Sequence, residues 1–209
     1  MFVSVVIPTY NRRPILEKCL SALEDQQLAG ALQDYEVVVV DDGSTDGTPS
    51  WLSEQAHRFP HVRLFEQEHG GPAEGRNRGV DHARGDVIVF IDSDLVVTET
   101  FLATHARALK QCWQRRGDRL CFTYGAVINT ANFEAPCSER HKLRDLSWAY
   151  FATGNVAIDR GRCWSVQACL TPVSAFMAGK TWNSVSVCGG WGLSWSSVRT
   201  LSGTTGTQP

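Results

Sequence analysis

Four apolar runs that each stop at a polar loop constrain this chain more than any other feature. They are Phe2–Ile7 before "PTYNRRP", the run in "YEVVVVDDGSTDGTP", the shorter "HVRLFEQ", and "VIVFIDSD". The second and fourth runs show no polar alternation, the pattern of a strand covered on both sheet faces. Helical periodicity lies between the runs. Ile15, Leu16, Cys19, Leu20 and Leu23 recur at the spacing of an amphipathic helix. Pro14 suits its first turn, and Gly30 falls in the loop that follows. Pro49 opens a second helix with Trp51, Leu52 and Ala56 as its inner face, and "GGPAEGRNRGVDHARG" holds a third, short one. The order β-α-β-α-β-α-β implies right-handed crossovers and therefore an α/β fold, a Rossmann-like, mostly parallel sheet flanked by helices. Ligands of such sheets bind outside the carboxyl ends of the strands, at a topological switch point. The polar segments Pro8–Asn11, Asp41–Asp46, Gly70–Asn77 and Asp92–Asp94 all fall on that edge.

Further along, Glu99–Leu109 reads as a helix and Leu120–Ile128 as a strand. "SERHKLRDLSWAYFATGNVAIDR" reads as helix or loop entering a short strand at Asn155–Ile158. The composition then breaks. No acidic residue follows Asp159, and Arg162, Lys180 and Arg199 are the only basic residues of 161–209. Four of the seven tryptophans lie there, without helical or strand periodicity. The expected organisation is one domain over 1–160 with an incomplete C-terminal half, and an atypical tail over 161–209, poorly ordered or loosely packed.

Bulk properties exclude several classes. A net charge of −2 gives no electrostatic reason to expect nucleic acid. No apolar run approaches the roughly 20 residues that span a bilayer. "MFVSVVIPTYNRRP" lacks a basic n-region and has Pro8 in its short apolar run, so it does not read as a signal peptide. The seven cysteines show no CxxC pair and no zinc spacing, and read as reduced thiols of a cytoplasmic protein.

Asp92 and Asp94 pose the sharpest chemical question. Two carboxylates that close repel each other and lose hydration unless positive charge sits between them. A D-x-D at a strand end lets them face a divalent cation, and Mg²⁺ or Mn²⁺ prefers oxygen ligands together with substrate phosphates. The competing reading is an acidic turn. Of Asp41 and Asp42, one can be structural and the other can accept a base N–H or ribose hydroxyl, and Asp42 is favoured as ligand-facing. The GST/DGT continuation suits an Asx-turn at Asp46. Pro8 and Thr9 can hold the first loop open for a flat nucleobase, with Tyr10 or Asn11 as its cap. "GGPAEGRNRG" is glycine-rich but is neither GxGxxG nor GxxxxGK[ST]. Within it Arg76 can meet a diphosphate through its guanidinium fork, and Asn77 can fix the loop. His82 and His105 read as exposed or satisfied core residues rather than metal ligands.

Four motifs in order, "VSVVIPTYNR", "VVVVDDGSTDGT", "GGPAEGRNRGV…ARGD" and "VIVFIDSD", resemble the nucleotide-sugar domain of family 2 glycosyltransferases, which has the GT-A fold. The likeness covers residues 2–97, and "FATGNVAIDR" extends it to the acceptor-side strand. The resemblance implies a UDP-sugar or other nucleoside-diphosphate sugar as donor and a carbohydrate or lipid-linked acceptor, with peripheral membrane association. It implies Mn²⁺ or Mg²⁺ on Asp94 and Asp92, and donor contacts from Pro8, Thr9, Tyr10, Asn11, Asp41, Asp42, Arg76, Asn77, Asp92 and Ser93. It also implies inversion, with a carboxylate deprotonating the acceptor hydroxyl. The family takes that base from an acidic W-E-D or E-D motif roughly 20 to 30 residues past the TGN segment, where this chain has no acidic residue, so the catalytic base is unassigned.

Three readings follow: a glycosyltransferase lineage with an intact donor half, a catalytically dead nucleotide-sugar-binding protein, and a nucleotidyltransferase. The last would want a glycine-rich basic loop after the first strand, of which "PTYNRR" is a poor version. The tail itself reads as a frame-shifted version of an ordinary C-terminal half. Shifted by one base, Trp182–Asn183 forces a Glu codon and Trp191–Gly192 a Gly codon, and the re-read stretch accommodates a W-E-D followed by amphipathic helical periodicity.

Overall fold

The structure, a computed structural model, describes residues 1–125, 127–130, 146–147, 154–162, 186–187 and 197–200. Its first half follows the expected alternation: β1 (Phe2–Thr9), α1 (Arg13–Glu24), β2 (Asp34–Asp41), α2 (Thr48–Glu54), β3 (Val62–Glu66), α3 (Pro72–His82) and β4 (Val87–Ile91). Then come β5 (Leu95–Val97), α4 (Phe101–Arg116), β6 (Cys121–Tyr124), β7 (Val127–Thr130), β8 (Leu146–Ser147), β9 (Asn155–Asp159), β10 (Ser186–Val187) and β11 (Ser197–Thr200). The main sheet runs β10-β6-β9-β4-β1-β2-β3, and a second, smaller sheet runs β5-β11-β7-β8. Strands β1, β2, β3 and β4 are parallel neighbours, while β9 lies antiparallel between β4 and β6. This is the mostly parallel α/β sheet that the alternation requires.

The core forms on both sheet faces. Val5, Ile7, Val37, Val39, Val89 and Ile91 point to one side, against Leu16, Leu20, Leu23, Phe101 and Leu109 of α1 and α4. Val6, Val38, Val40, Ile88 and Phe90 point to the other, with Val80 of α3 and with Val156 and Ile158 of β9. The uninterrupted apolar runs are therefore strands covered twice. Helix α3 can lie close on β1 because Gly75 and Gly79 face it. A Cβ at Gly75 would stand 3.1 Å from Pro8 Cβ, and one at Gly79 would collide with Val6 Cγ1.

Several local expectations need correction. Helix α2 ends at Glu54, so Ala56 lies beyond it and is exposed; Phe59 is buried instead and stands 5.9 Å from Trp51, ring centroid to ring centroid. The strand expected over Leu120–Ile128 is two strands, β6 and β7, separated at Gly125. "LVV" after the aspartates is a strand of the second sheet, paired with Ser197–Arg199 of the tail. Cys19 and Cys121 are free and buried. Apart from the two short strands β10 and β11, the expectations for the tail beyond Arg162 lie outside the described residues. Among the described residues no helix is long and apolar enough to cross a membrane.

Candidate functional site

The order β3-β2-β1-β4 puts the switch point between β1 and β4, because the chain winds outward from β1 in one direction and then crosses to its other side. A cleft of about 430 Å³ opens there. Pro8, Thr9, Tyr10, Asp42, Arg76, Asp92, Ser93 and Asp94 line it, together with Arg12, His69 and Pro72. Asn11, Asp41 and Asn77 also lie on this side of the sheet but do not line the cleft. A larger groove of about 680 Å³, lined in part by Met1, Gln33, Lys110, Trp113 and Arg119, holds none of the strand-end carboxylates.

The loops around the cleft are tied to one another. Asn11, at φ 50°, donates its backbone N–H to Ser44 Oγ at 2.9 Å, and its Oδ1 accepts from the Thr45 N–H at 2.7 Å. Asp46 accepts from the backbone N–H groups of Arg13 and Thr48 and from the Thr48 hydroxyl. It is thus the Asx-type tie expected there, and it also anchors the start of α1. Asp41 accepts from the Ser44 N–H at 2.8 Å, and its Oδ1 is buried without a hydrogen-bond partner. Asn77 faces away, into a surface hollow with Glu66, Glu74 and Asp81.

Asp42 is buried, and its carboxylate organises the loop before α3. Oδ1 accepts from Gln67 Nε2 at 2.7 Å and from the Gly70 N–H at 2.9 Å, and Oδ2 accepts from the Gly71 N–H at 2.8 Å. His69 Nδ1 stands 2.9 Å from Oδ2. Burial alone would raise the Asp42 pKa, but the donors Gly70, Gln67 and Gly71, with His69 nearby, together hold it below the usual carboxylate range. A carboxylate offers about four acceptor sites, so a ligand N–H would reach Asp42 only where one of these donors gives way, and of these His69 and Gly70 are exposed residues. The His69 ring lies against Tyr10 with centroids 4.2 Å apart.

The two aspartates of the D-x-D are not left to repel each other. Arg76 Nη2 donates to Asp92 Oδ1 at 2.6 Å, and Arg12 Nη1 to Asp94 Oδ2 at 2.9 Å. Thr9 Oγ1 and Arg76 Nε are buried beside the cleft without hydrogen-bond partners. Buried polar groups in native proteins are nearly always paired, so these two atoms are exceptions on the cleft wall. Asp92 and Asp94 offer carboxylate oxygens, which suit Mg²⁺ or Mn²⁺. Among the described residues no group of three His, Cys, Asp or Glu side chains is placed to hold a metal. A cation here would rest on the two aspartates and complete its shell with ligand oxygens and water, as Mg²⁺ commonly does.

Arg12, His69 and Pro72 are the cleft residues that the sequence did not single out. Arg12 closes the first-loop motif, and His69 and Pro72 flank the two glycines of the third motif; all three lie just after strand exits, and that position was the signal available.

The mostly parallel sheet, covered on both faces, has the GT-A fold of solved glycosyltransferases. The mannosyltransferase PcManGT from Pyrobaculum calidifontis, solved in complex with GDP-Man and Mn²⁺, matches with a TM-score of 0.54 at 27% identity, over 78% of this chain and 46% of that one. S. aureus TarS residues 1–349 match with a TM-score of 0.64 over 96% of this chain and 60% of that one; at 21% identity this likeness speaks for the fold. The model of glycosyl transferase family 2 matches residues 4–115, and the chain belongs to that family. Its relatives include the uncharacterized glycosyltransferase YfnE of Bacillus subtilis strain 168, 38% identical over 108 residues, which are 52% of this chain and 27% of the relative. The poly(ribitol-phosphate) beta-glucosyltransferase of Bacillus spizizenii is 36% identical over 96 residues, 45% of this chain and 15% of that one. The chain thus spans less than a third of the length of these curated relatives.

Proposed function

We propose that the cleft binds a nucleoside-diphosphate sugar, a UDP-sugar by preference, with Mn²⁺ or Mg²⁺ held by Asp92 and Asp94. The observation that carries this reading is the pair of buried, unpartnered polar atoms, Thr9 Oγ1 and Arg76 Nε, in one cleft with both carboxylates. The bound cation would supply charge stabilisation to the departing diphosphate. The chain's own residues do the rest of the donor binding. Pro8, Tyr10 and His69 line the part of the cleft against which a flat base would lie. Asp42 keeps the loop at 67–71 in place and accepts a base N–H where His69 yields. Arg76, fixed by its hydrogen bond to the Pro72 carbonyl, orients Asp92.

The reaction of this lineage would be inverting transfer of the sugar to an acceptor hydroxyl of a carbohydrate or a lipid-linked carrier. It needs a carboxylate base on the acceptor side, and residues 160–209 contain no Asp or Glu. That observation favours a second statement: this chain binds donor without turning it over, and restoring the alternative reading frame past Arg160 restores transfer. Thermal-shift titration of UDP, GDP and their sugars, with and without Mn²⁺, beside a sugar-transfer assay tests both statements. Cation-dependent stabilisation by UDP-sugars without transfer is the expected result. Absence of any nucleotide response would overturn the donor-site reading, and efficient transfer by this chain would overturn the second.

A further inference from the structure

The two arginines of the D-x-D turn are not equivalent. Arg76 is only 12% exposed, and a second nitrogen of its guanidinium is held by the Pro72 carbonyl, so its place is fixed by α3. Arg12 is 48% exposed, and the Asp94 it holds is 13% exposed. The Arg12 backbone is fixed, since its carbonyl accepts from Ile15 and Leu16 at the start of α1, and Asn11 before it is pinned in the left-handed region. Its long side chain is therefore a tethered positive charge at the cleft mouth, with rotamers to spare.

Charge accounting gives that tether a task. Among the described residues, each of the two aspartates is met by one arginine while no cation is bound. Once a divalent cation sits on the aspartates, both arginines lose their counter-charge. The diphosphate of a nucleotide sugar carries two negative charges, which the two released arginines match, and a guanidinium meets phosphate oxygens well. Resting on the donor-site reading above, we propose that Arg12 is an exchangeable counter-ion: it neutralises Asp94 while no cation is bound, and turns to the donor's diphosphate when the cation takes Asp94. It is thereby a competitor of the metal and a ligand of the nucleotide in the same cycle.

Opposite signs in two binding measurements on the whole chain test this. Mn²⁺ alone, followed by the electron paramagnetic resonance of the free ion, should bind Arg12→Gln about threefold more tightly than the parent, the scale of an exposed ion pair removed. UDP at saturating Mn²⁺, measured calorimetrically, should bind Arg12→Gln about tenfold more weakly, the scale of one charge-assisted hydrogen bond lost. Uridine should bind both alike. Arg12→Lys, which keeps the charge but not the fork, should lie between them for UDP. If Arg12→Gln binds UDP–Mn²⁺ as tightly as the parent, or Mn²⁺ alone no more tightly, the exchange is refuted while the donor site stands. If the parent binds neither Mn²⁺ nor UDP, the donor-site reading falls and the exchange with it.

Discussion

Between about pH 7 and about pH 5, His105 should cost this chain about 2 kcal/mol of stability. The residue sits on α4 and is buried. Its Nδ1 lies 2.7 Å from Thr123 Oγ1, and its Nε2 lies 3.0 Å from Asn155 Oδ1. An amide oxygen only accepts, so Nε2 carries the proton and Nδ1 accepts from the threonine hydroxyl. Burial pushes the imidazole down to about 4 from its ordinary 6.5, and the Asn155 contact opposes this only in part. The unfolded chain therefore takes up a proton as the pH falls through about 6.5, whereas the folded chain resists until about 4. Stability is full above the unfolded value and is lost progressively on the way down. The whole difference corresponds to about 3 kcal/mol, of which about two-thirds is spent by pH 5. Glu36, Asp42 and Asp46, all held below their usual values, add their own losses only at lower pH. Urea unfolding of the parent and of His105→Gln, at several pH values in that window, measures the term. The parent's midpoint should drop by on the order of 1 M, and that of His105→Gln by much less. Equal pH slopes in the two proteins would refute the account of His105 as a buried neutral imidazole.

Asp94→Asn should abolish the Mn²⁺ dependence of UDP binding and leave the circular dichroism spectrum unchanged; undiminished dependence on the metal would remove Asp94 from the cation site. Glu36 is buried and accepts from Ser4 Oγ at 2.7 Å, Arg63 Nη1 at 2.7 Å and the Arg84 N–H at 2.7 Å. Glu36→Ala strands these donors and should cost about 3 kcal/mol in denaturant titrations. At Gly85 a Cβ would lie 2.5 Å from the Ser4 backbone nitrogen. Gly85→Ala should therefore lower the melting temperature by more than 5 °C, on the order of a few kcal/mol for a collision that only the backbone can relieve; a neutral result would show that the turn into β4 can shift.

The strands and the edge on which the cleft opens were legible because burial on both faces writes itself as an unbroken apolar run, and a strand exit as the first polar residue after it. What a polar residue does once it reaches that edge was not legible. Asn11 and Asp42 have the residue types of ligand contacts, yet their hydrogen bonds run to Ser44, Thr45 and the 67–71 loop, partners some 25 to 35 residues away. Asn77 follows Arg76 in sequence, but one helical step of about 100° turns it from the cleft. Arg12 and Arg76 answered the repulsion between Asp92 and Asp94 from 82 and 16 residues away, and only folding makes such pairs visible. His105 could be read as a satisfied core residue, but its partners are 18 and 50 residues distant and no periodicity marks them. The second sheet was missed because its strands are short and one of them comes from the tail, where the sequence carries no period.

The ties among the strand-exit loops bear on how this scaffold can change its donor. Asn11 binds the first loop to the second, Asp46 binds the second to the start of α1, and Asp42 binds the second to the loop before α3. A substitution in one loop that enlarges or reshapes the cleft thus pulls on the other two. Recombination between homologues that exchanges one loop alone would break these hydrogen bonds, whereas exchange of residues 8–13, 41–48 and 67–76 as a set would carry them along. The proposed donor preference would thus be inherited as a block, and a library meant to alter it would need to draw all three loops from the same parent.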